Sequence, residues 1–173
     1  DFLRAVLNKE VGLRTGKTLS SVTVLKTEKM DRFVIMTDGG MNMYPTLEEK
    51  VHILENTVPV CKALEIEDPK AAAVCAVEVV NPAMQATLDA ATLAVMSQRG
   101  QIKGITVDGP LGMDNALSEE AAKHKGITSP VAGKADVVLM PDIEAGNIMY
   151  KTLVYMGDVQ TGSLIMGAAA PIV

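Results

Sequence analysis

Aromatic residues are scarce in this chain. There is no tryptophan, and the five aromatics are Phe2, Phe33, Tyr44, Tyr150 and Tyr155. A surface built to stack nucleic-acid bases is therefore excluded. Positive charge is also short: 16 Lys and Arg against 21 Asp and Glu leave a net charge of −5, so no basic footprint faces nucleic acid or an anionic membrane. The two cysteines, Cys61 and Cys75, are too few for a disulfide framework. They read as small buried apolar residues in a reducing compartment, the cytoplasm. No run of 18 apolar residues points to a membrane span. Cys and His show no metal-ligand spacing, so no metal is expected. Dinucleotide, P-loop and H-E-x-x-H fingerprints are missing too. What is there is ordinary for a globular domain with its own core: 173 residues, 48% hydrophobic and 21% charged. The beginning, Asp1-Phe2-Leu3-Arg4, and the end, Ala170-Pro171-Ile172-Val173, read as the interior of a longer protein.

Leu3, Val6, Leu7 and Val11 recur at helical spacing over residues 1–14. Ser21 to Leu25 and Arg32 to Thr37 predict two adjacent strands forming a hairpin. Asp38-Gly39-Gly40-Met41-Asn42 reads as a flexible loop. Leu47, Val51, Leu54, Val58, Cys61 and Leu64 then mark a long helix, with Pro59 inside it as an expected kink. From there strands and helices alternate. Strands are predicted at 71–77, 105–107, 137–140 and 163–166, and helices at 84–98, from Ser118, and at 148–156 opened by Gly146-Asn147. Such alternation implies an α/β fold with a mostly parallel sheet and helices on both faces. Functional residues are expected at the C-terminal ends of the strands.

The densest stretch of candidate chemistry runs from Asp108 to Lys151. Val107-Asp108-Gly109-Pro110-Leu111 reads as a carboxylate at a strand end followed by a turn, and the same residues also make an ordinary turn without chemistry. Ser129, in Ser129-Pro130-Val131-Ala132-Gly133, is more simply a cap than a nucleophile, since no nucleophile elbow surrounds it. Gly146-Asn147 at a helix start could turn backbone N–H groups toward a phosphate, or could merely cap the helix. His52 reads as structural and His124 as solvated. An anionic substrate has only Arg4, Arg14, Arg32 and Arg99, some lysines, or backbone N–H groups to meet it.

Taken together, several segments resemble the phosphate acetyltransferase and phosphate butyryltransferase family: Leu3 to Glu10, Val107 to Leu111, Ser129 to Asp136 and Pro141 to Lys151. Gln98 to Gly104 and Ala121 to Ile127 are most similar to the butyryl branch, and the likeness covers essentially the whole chain. The resemblance implies a phosphate acyltransferase: acyl-CoA plus phosphate gives acyl phosphate plus CoA, with a butyryl or branched short-chain acyl group. It also implies an isocitrate/isopropylmalate dehydrogenase-like architecture, with residues 1–18 a remnant of a first lobe and 19–173 a second α/β lobe. CoA would be a substrate rather than a permanently bound cofactor. A homodimer or larger homo-oligomer is expected, with no nucleic-acid or membrane partner. By position, Arg4 matches a family arginine placed to bind substrate phosphate, and Asp108, Ser129 and Asn147 are further candidates for lining the cleft.

The chain departs from the family pattern in places. The family's Ser-Arg motif and the acidic residue after it, which carry the stabiliser and base roles, follow the strand that ends this chain, so the catalytic groups stay unassigned and these 173 residues alone are expected to be inactive. Where some members have a cysteine in the loop matching 38–40, Gly39 stands here, and Pro59 is unusual against the family helix. Two rival readings stand beside this one. A decarboxylating dehydrogenase of similar fold would need paired aspartates for a divalent metal, and no D-x-x-x-D cluster is present. A non-catalytic member that binds CoA or an acyl phosphate is the other.

Overall fold

A computed structural model of the chain describes Val6, Asn8 and residues 12–173. Arg4 and most of the helix expected over 1–14 lie outside the described residues. Six strands form one sheet: β1 (Ser20–Thr27), β2 (Val34–Thr37), β3 (Lys70–Val74), β4 (Thr106–Leu111), β5 (Val137–Leu139) and β6 (Val159–Met166). Among residues 12–173 five helices are interleaved: α1 (Leu47–Ala63), α2 (Gln85–Gln98), α3 (Met113–Leu117), α4 (Glu119–His124) and α5 (Ile143–Met156).

The strand order is β4-β3-β5-β2-β1-β6. β4, β3, β5 and β2 are parallel. β1 runs antiparallel to both β2 and β6. The sheet is thus mixed. The hairpin of β1 and β2 is as the sequence indicates, but the last strand does not extend the parallel set beside β5. It returns to β1, with eight residue pairs from Ser20↔Met166 to Thr27↔Val159.

Alternation along the strands sorts side chains into two layers. Ile35, Ala71, Ala73, Val137 and Leu139 join Ile53, Leu54, Ala90 and Leu93 of α1 and α2 on one face. Val34, Met36, Ala72, Val74 and Val138 pack on the other with α3, α4 and the inner side of α5. Ile53 and Leu54 are fully buried, and each such side chain contributes about 1.5–3 kcal/mol. The run of alanines in β3 lets helices approach closely on both faces.

Local chemistry sets the helix ends. Thr46 and Glu49 form a reciprocal capping box on α1, with Glu49 N–H donating to Thr46 Oγ1 at 3.3 Å and Thr46 N–H to Glu49 Oε2 at 2.8 Å. The helix continues unbroken past Pro59, which faces solvent. Ser118 caps α4 through the Ala121 N–H, as its sequence suggests. α5 begins at Ile143, three residues before the expected Gly146 opening, because Asp142 is its cap and accepts from the Ala145 N–H at 2.9 Å.

The Asp108-Gly109-Pro110 segment is a second correction. It is the body of β4, which runs on to Leu111, and not a turn. β4 is an edge strand, where a proline costs no ladder hydrogen bond. Gly109 is required by packing, since a Cβ there would lie 2.8 Å from the Ala73 carbonyl and 3.2 Å from Ala90 Cβ. The Gly109–Pro110 bond is cis.

Candidate active site

The C-terminal ends of β2, β5, β3 and β4 share one edge of the sheet, and the loop that leaves β2 carries a buried carboxylate there, Asp38. The segment after β2 is the most tightly specified. Asp38 is buried, and its two carboxylate oxygens take up donors from every side. Oδ1 accepts from the Ser21 hydroxyl and from the N–H groups of Gly40 at 2.8 Å and Met41 at 3.0 Å. Oδ2 accepts from Asn42 N–H at 3.2 Å and Asn42 Nδ2 at 2.6 Å. Ser21 Oγ in turn accepts from the Gly39 N–H at 3.2 Å. Asn42 Nδ2 also reaches the Leu19 carbonyl at 2.7 Å, tying the loop to the segment that enters β1. Residues 38–42 are therefore a fixed turn wrapped around a carboxylate, not the flexible loop that their glycines suggest.

α5 closes on that turn. Gly39 and Gly146 meet back to back: a Cβ on Gly146 would lie 2.8 Å from both the Asp38 carbonyl oxygen and Gly39 Cα. Asn147 Nδ2 donates to the Gly39 carbonyl at 3.2 Å, and Ile143 N–H donates to the Met43 carbonyl at 3.0 Å. The N–H groups of Ile143 and Ala145 are thus taken by the protein itself, so Gly146-Asn147 does not open a helix end toward an anion. Beside this contact Met43 and Tyr44 are exposed. A hydrogen bond to the Glu144 carboxylate, with its charge close by, raises the Tyr44 phenol pKa.

Between β3 and β5 the edge holds an ion pair of a buried lysine with a partly buried aspartate. Lys50 of α1 reaches Asp89 of α2 at 2.6 Å, and Gln85 Nε2 donates to the other Asp89 oxygen at 2.8 Å. Burial pushes the neighbouring Cys75 thiol up to about 11, and that of Cys61 likewise to about 11. Between β4 and β3, Glu78 accepts from Asn115 Nδ2 at 2.6 Å and pairs with Lys125 at 2.5 Å, and Lys125 also lies 3.6 Å from Asp114. The Lys125 hydrogen bond is the main cause holding the Glu78 carboxyl below its usual range.

The four substrate-binding candidates separate. Arg4 lies outside the described residues. Asn147 stands at the edge, against the Asp38 turn. Asp108 lies three residues inside β4, opposite Ala72, and its Oδ1 accepts from the Gly109 N–H at 2.9 Å. Ser129 is on the loop that enters β5 at its N-terminal end, where its hydroxyl accepts from the N–H groups of Val131 and Ala132, both at 3.1 Å. No hydrogen bond joins Asp108, Ser129 and Asn147 to one another among the described residues. Sequence reasoning missed Asp38, Ser21 and Asn42 as a unit. The available signal was an Asp followed by two glycines and an Asn, directly after an apolar strand.

Two recesses matter. One of about 380 Å³ opens at the functional edge, between residues 14–19 and the Met41-Asn42 end of the Asp38 turn, with Glu49 on its wall. A larger one of about 830 Å³ lies at the opposite end of the strands, between the β1–β2 turn and the α5–β6 turn. Among the described residues, no group of three His, Cys, Asp or Glu is placed to hold a metal ion. No helix there is long and apolar enough to cross a membrane.

An α/β domain whose loops gather polar groups at the carboxyl edge of a mostly parallel sheet is a familiar host for group transfer, but the fold alone does not select the reaction. Comparison with known proteins gives the family. Residues 1–173 match the family described as phosphate acetyl/butaryl transferase, and the chain belongs to that family. It is 62% identical over 172 residues to a phosphate butyryltransferase of Clostridium acetobutylicum, covering 99% of this chain and 57% of that protein. It is 51% identical to a phosphate acetyltransferase of Thermotoga maritima, covering 100% of this chain and 59% of that protein. A branched-chain phosphotransacylase from Enterococcus faecalis has the same fold, with a TM-score of 0.89, 33% identity, and 99% of this chain and 61% of that one covered. The chain thus spans little more than half the length of these relatives.

Proposed function

We propose that the protein is a phosphate acyltransferase that interconverts acyl-CoA plus phosphate with acyl phosphate plus CoA, acting on butyryl or branched short-chain acyl groups. The observation that carries this reading is the 62% identity to a phosphate butyryltransferase along 99% of the chain. The likeness in fold to a branched-chain phosphotransacylase supports the acyl range. In the direction of acyl-CoA synthesis the CoA thiol loses its proton to a base, and the thiolate attacks the acyl carbonyl carbon. The C–S bond forms, the bond from that carbon to the phosphate oxygen breaks, and orthophosphate leaves. CoA enters and departs as a substrate.

The described residues form the second lobe of a two-lobed, isocitrate/isopropylmalate dehydrogenase-like protein in this proposal, from residue 19 onward, with 1–18 belonging to the first. The carboxyl edge then forms one wall of the cleft. Asn147 and the Asp38 turn line that wall, while Asp108 and Ser129 satisfy backbone groups. A cytoplasmic setting fits two free thiols held well above their usual pKa. A homo-oligomer fits the exposed Ile148, Tyr155 and Met156 on the outer side of α5.

The test is thiol release from butyryl-CoA by the complete protein. Release that requires orthophosphate and yields butyryl phosphate is expected. Binding of CoA without turnover would replace the transferase by a binding protein.

A further inference from the structure

The substrates of the proposed reaction all carry phosphate, yet the chain is net negative, so the cations able to meet an oxyanion can be counted by what already occupies them. Lys50 is buried against Asp89, and Lys125 is held by Glu78 and Asp114. Arg32 donates to the carbonyls of Leu117 at 3.4 Å and Gly133 at 3.2 Å, on the side of the sheet where β2 begins. Arg99 closes α2 at that same end. The N–H groups of the Asp38 turn all point at Asp38 or Ser21. Arg14 remains. It is exposed and has no ion-pair partner among the described residues, and it lines the 380 Å³ recess at the functional edge together with Thr15, Lys17 and Asn42.

The backbone that presents Arg14 and Lys17 is anchored on both sides. Ala169 N–H donates to the Leu13 carbonyl at 2.8 Å, and Thr15 Oγ1 donates to the Gly167 carbonyl at 2.5 Å. Gly16 turns the chain with a φ of 85°, a conformation that favours glycine. Asn56 Nδ2 then holds the Thr18 carbonyl at 2.9 Å. Lys17 is only loosely engaged, 3.8 Å from Glu55. Two cations thus stand on a fixed turn beside a recess whose far wall, the Asp38 turn, is also fixed. Such pre-placement lowers the ordering cost of binding.

We infer that the recess lined by Arg14 and Lys17 is a phosphate-binding subsite, and that it takes the nucleotide phosphates of coenzyme A. This inference rests on the transferase reading above. A volume of 380 Å³ is too large for orthophosphate alone and lies in the roughly 300–1,000 Å³ range of sites for organic ligands. Arg14 and Lys17 are open to water, whereas stabilising the transferring group calls for a site from which water is excluded. A solvated arginine fork suits a remote phosphate that anchors the substrate without changing during the reaction.

The test replaces Arg14 in the complete protein, Arg14→Gln and separately Lys17→Gln, and measures thiol release with butyryl-CoA and with S-butyryl-pantetheine, which lacks the nucleotide. For Arg14→Gln the KM for butyryl-CoA should rise roughly five- to twentyfold. The KM for orthophosphate, kcat, and both constants for the pantetheine substrate should stay as in the wild type. Lys17→Gln should act in the same direction more weakly, and Arg99→Gln, at the far end of the sheet, should change nothing. A raised KM for orthophosphate would assign the subsite to the transferring phosphate and overturn the inference. An unchanged KM for butyryl-CoA would overturn it too. Calorimetry with free CoA separates this from failure of the activity itself. Weaker binding of CoA by Arg14→Gln supports the subsite even if no turnover is seen, and equal binding, or none by the wild type, refutes it.

Discussion

Replacing Asp38 by Asn tests whether the turn after β2 is built around a charge. The two side chains have nearly the same shape, so packing is unchanged and only hydrogen bonding differs. Asp38 accepts from five donors, three at Oδ1 and two at Oδ2. An asparagine amide can keep only one accepting oxygen. The better choice leaves the oxygen at Oδ1 and places the NH2 at Oδ2, facing Asn42 N–H and Nδ2, donor against donor. Two bonds to a charged acceptor are lost, each worth about 1.5–3 kcal/mol. Asn42 Nδ2 keeps the Leu19 carbonyl, so part of that loss is recovered. A net destabilisation of about 2–4 kcal/mol is expected. The assay is urea unfolding of the complete protein, read by circular dichroism, together with proteolysis to locate the first cut. The variant should unfold at lower urea, and cleavage should begin within 38–42. If Asp38→Asn leaves the midpoint and the cleavage pattern unchanged, the turn does not depend on the carboxylate, and its fixed shape has another cause.

Three further outcomes follow from the packing and charge at the same edge. Gly146→Ala gains about 1 kcal/mol of helix propensity, but its methyl meets backbone at 2.8 Å, so it should lower stability by about 1–2 kcal/mol net. Gly162→Ala, where nothing lies within 4 Å, should stabilise by about 0.4–1 kcal/mol by the same denaturation curve, and a stabilised Gly146→Ala would show that α5 does not press on the turn. Lys50→Met leaves the partly buried Asp89 carboxylate with only Gln85 and should cost about 1–3 kcal/mol, most of it recovered in Lys50→Met/Asp89→Leu; a double-mutant cycle without recovery would mean that packing dominates there. Cys61 and Cys75 have folded pKa values raised to about 11. Their neutral burial supports the fold fully below the unfolded thiol pKa and ceases to as pH rises toward 11, so Ellman's reagent at pH 8 should find neither thiol in the native protein and both in urea.

How far the sequence could be read depended on whether local chemistry and packing agreed. They agree in α1, where apolar spacing, the Thr46–Glu49 box and acidic residues in the first turn all indicate one helix, and in Ser118, whose cap is local. They conflict at Asp108-Gly109-Pro110. Glycine and proline side by side usually mean a turn, but here the neighbours decide, since α2 and β3 come so near that only glycine fits. β6 is half invisible for a related reason: an edge strand keeps Gln160, Thr161 and Ser163 in water and needs no apolar alternation. Partnership is also non-local, because nothing within 159–166 says that its ladder lies on β1, more than 130 residues earlier in the chain. The candidate site shows the same division. Asn147 was found as a polar residue near a helix start, but its partner Gly39 is 108 residues away. Asp38 looked like the entry to a loose loop because the donors that fix it include Ser21 on another strand. A carboxylate that organises five donors is indistinguishable in sequence from one left in solvent. The difference lies in the strand pairing of β1 with β2, which sets Ser21 and Asp38 side by side. The Asp38→Asn experiment therefore reports on tertiary register as much as on a single residue.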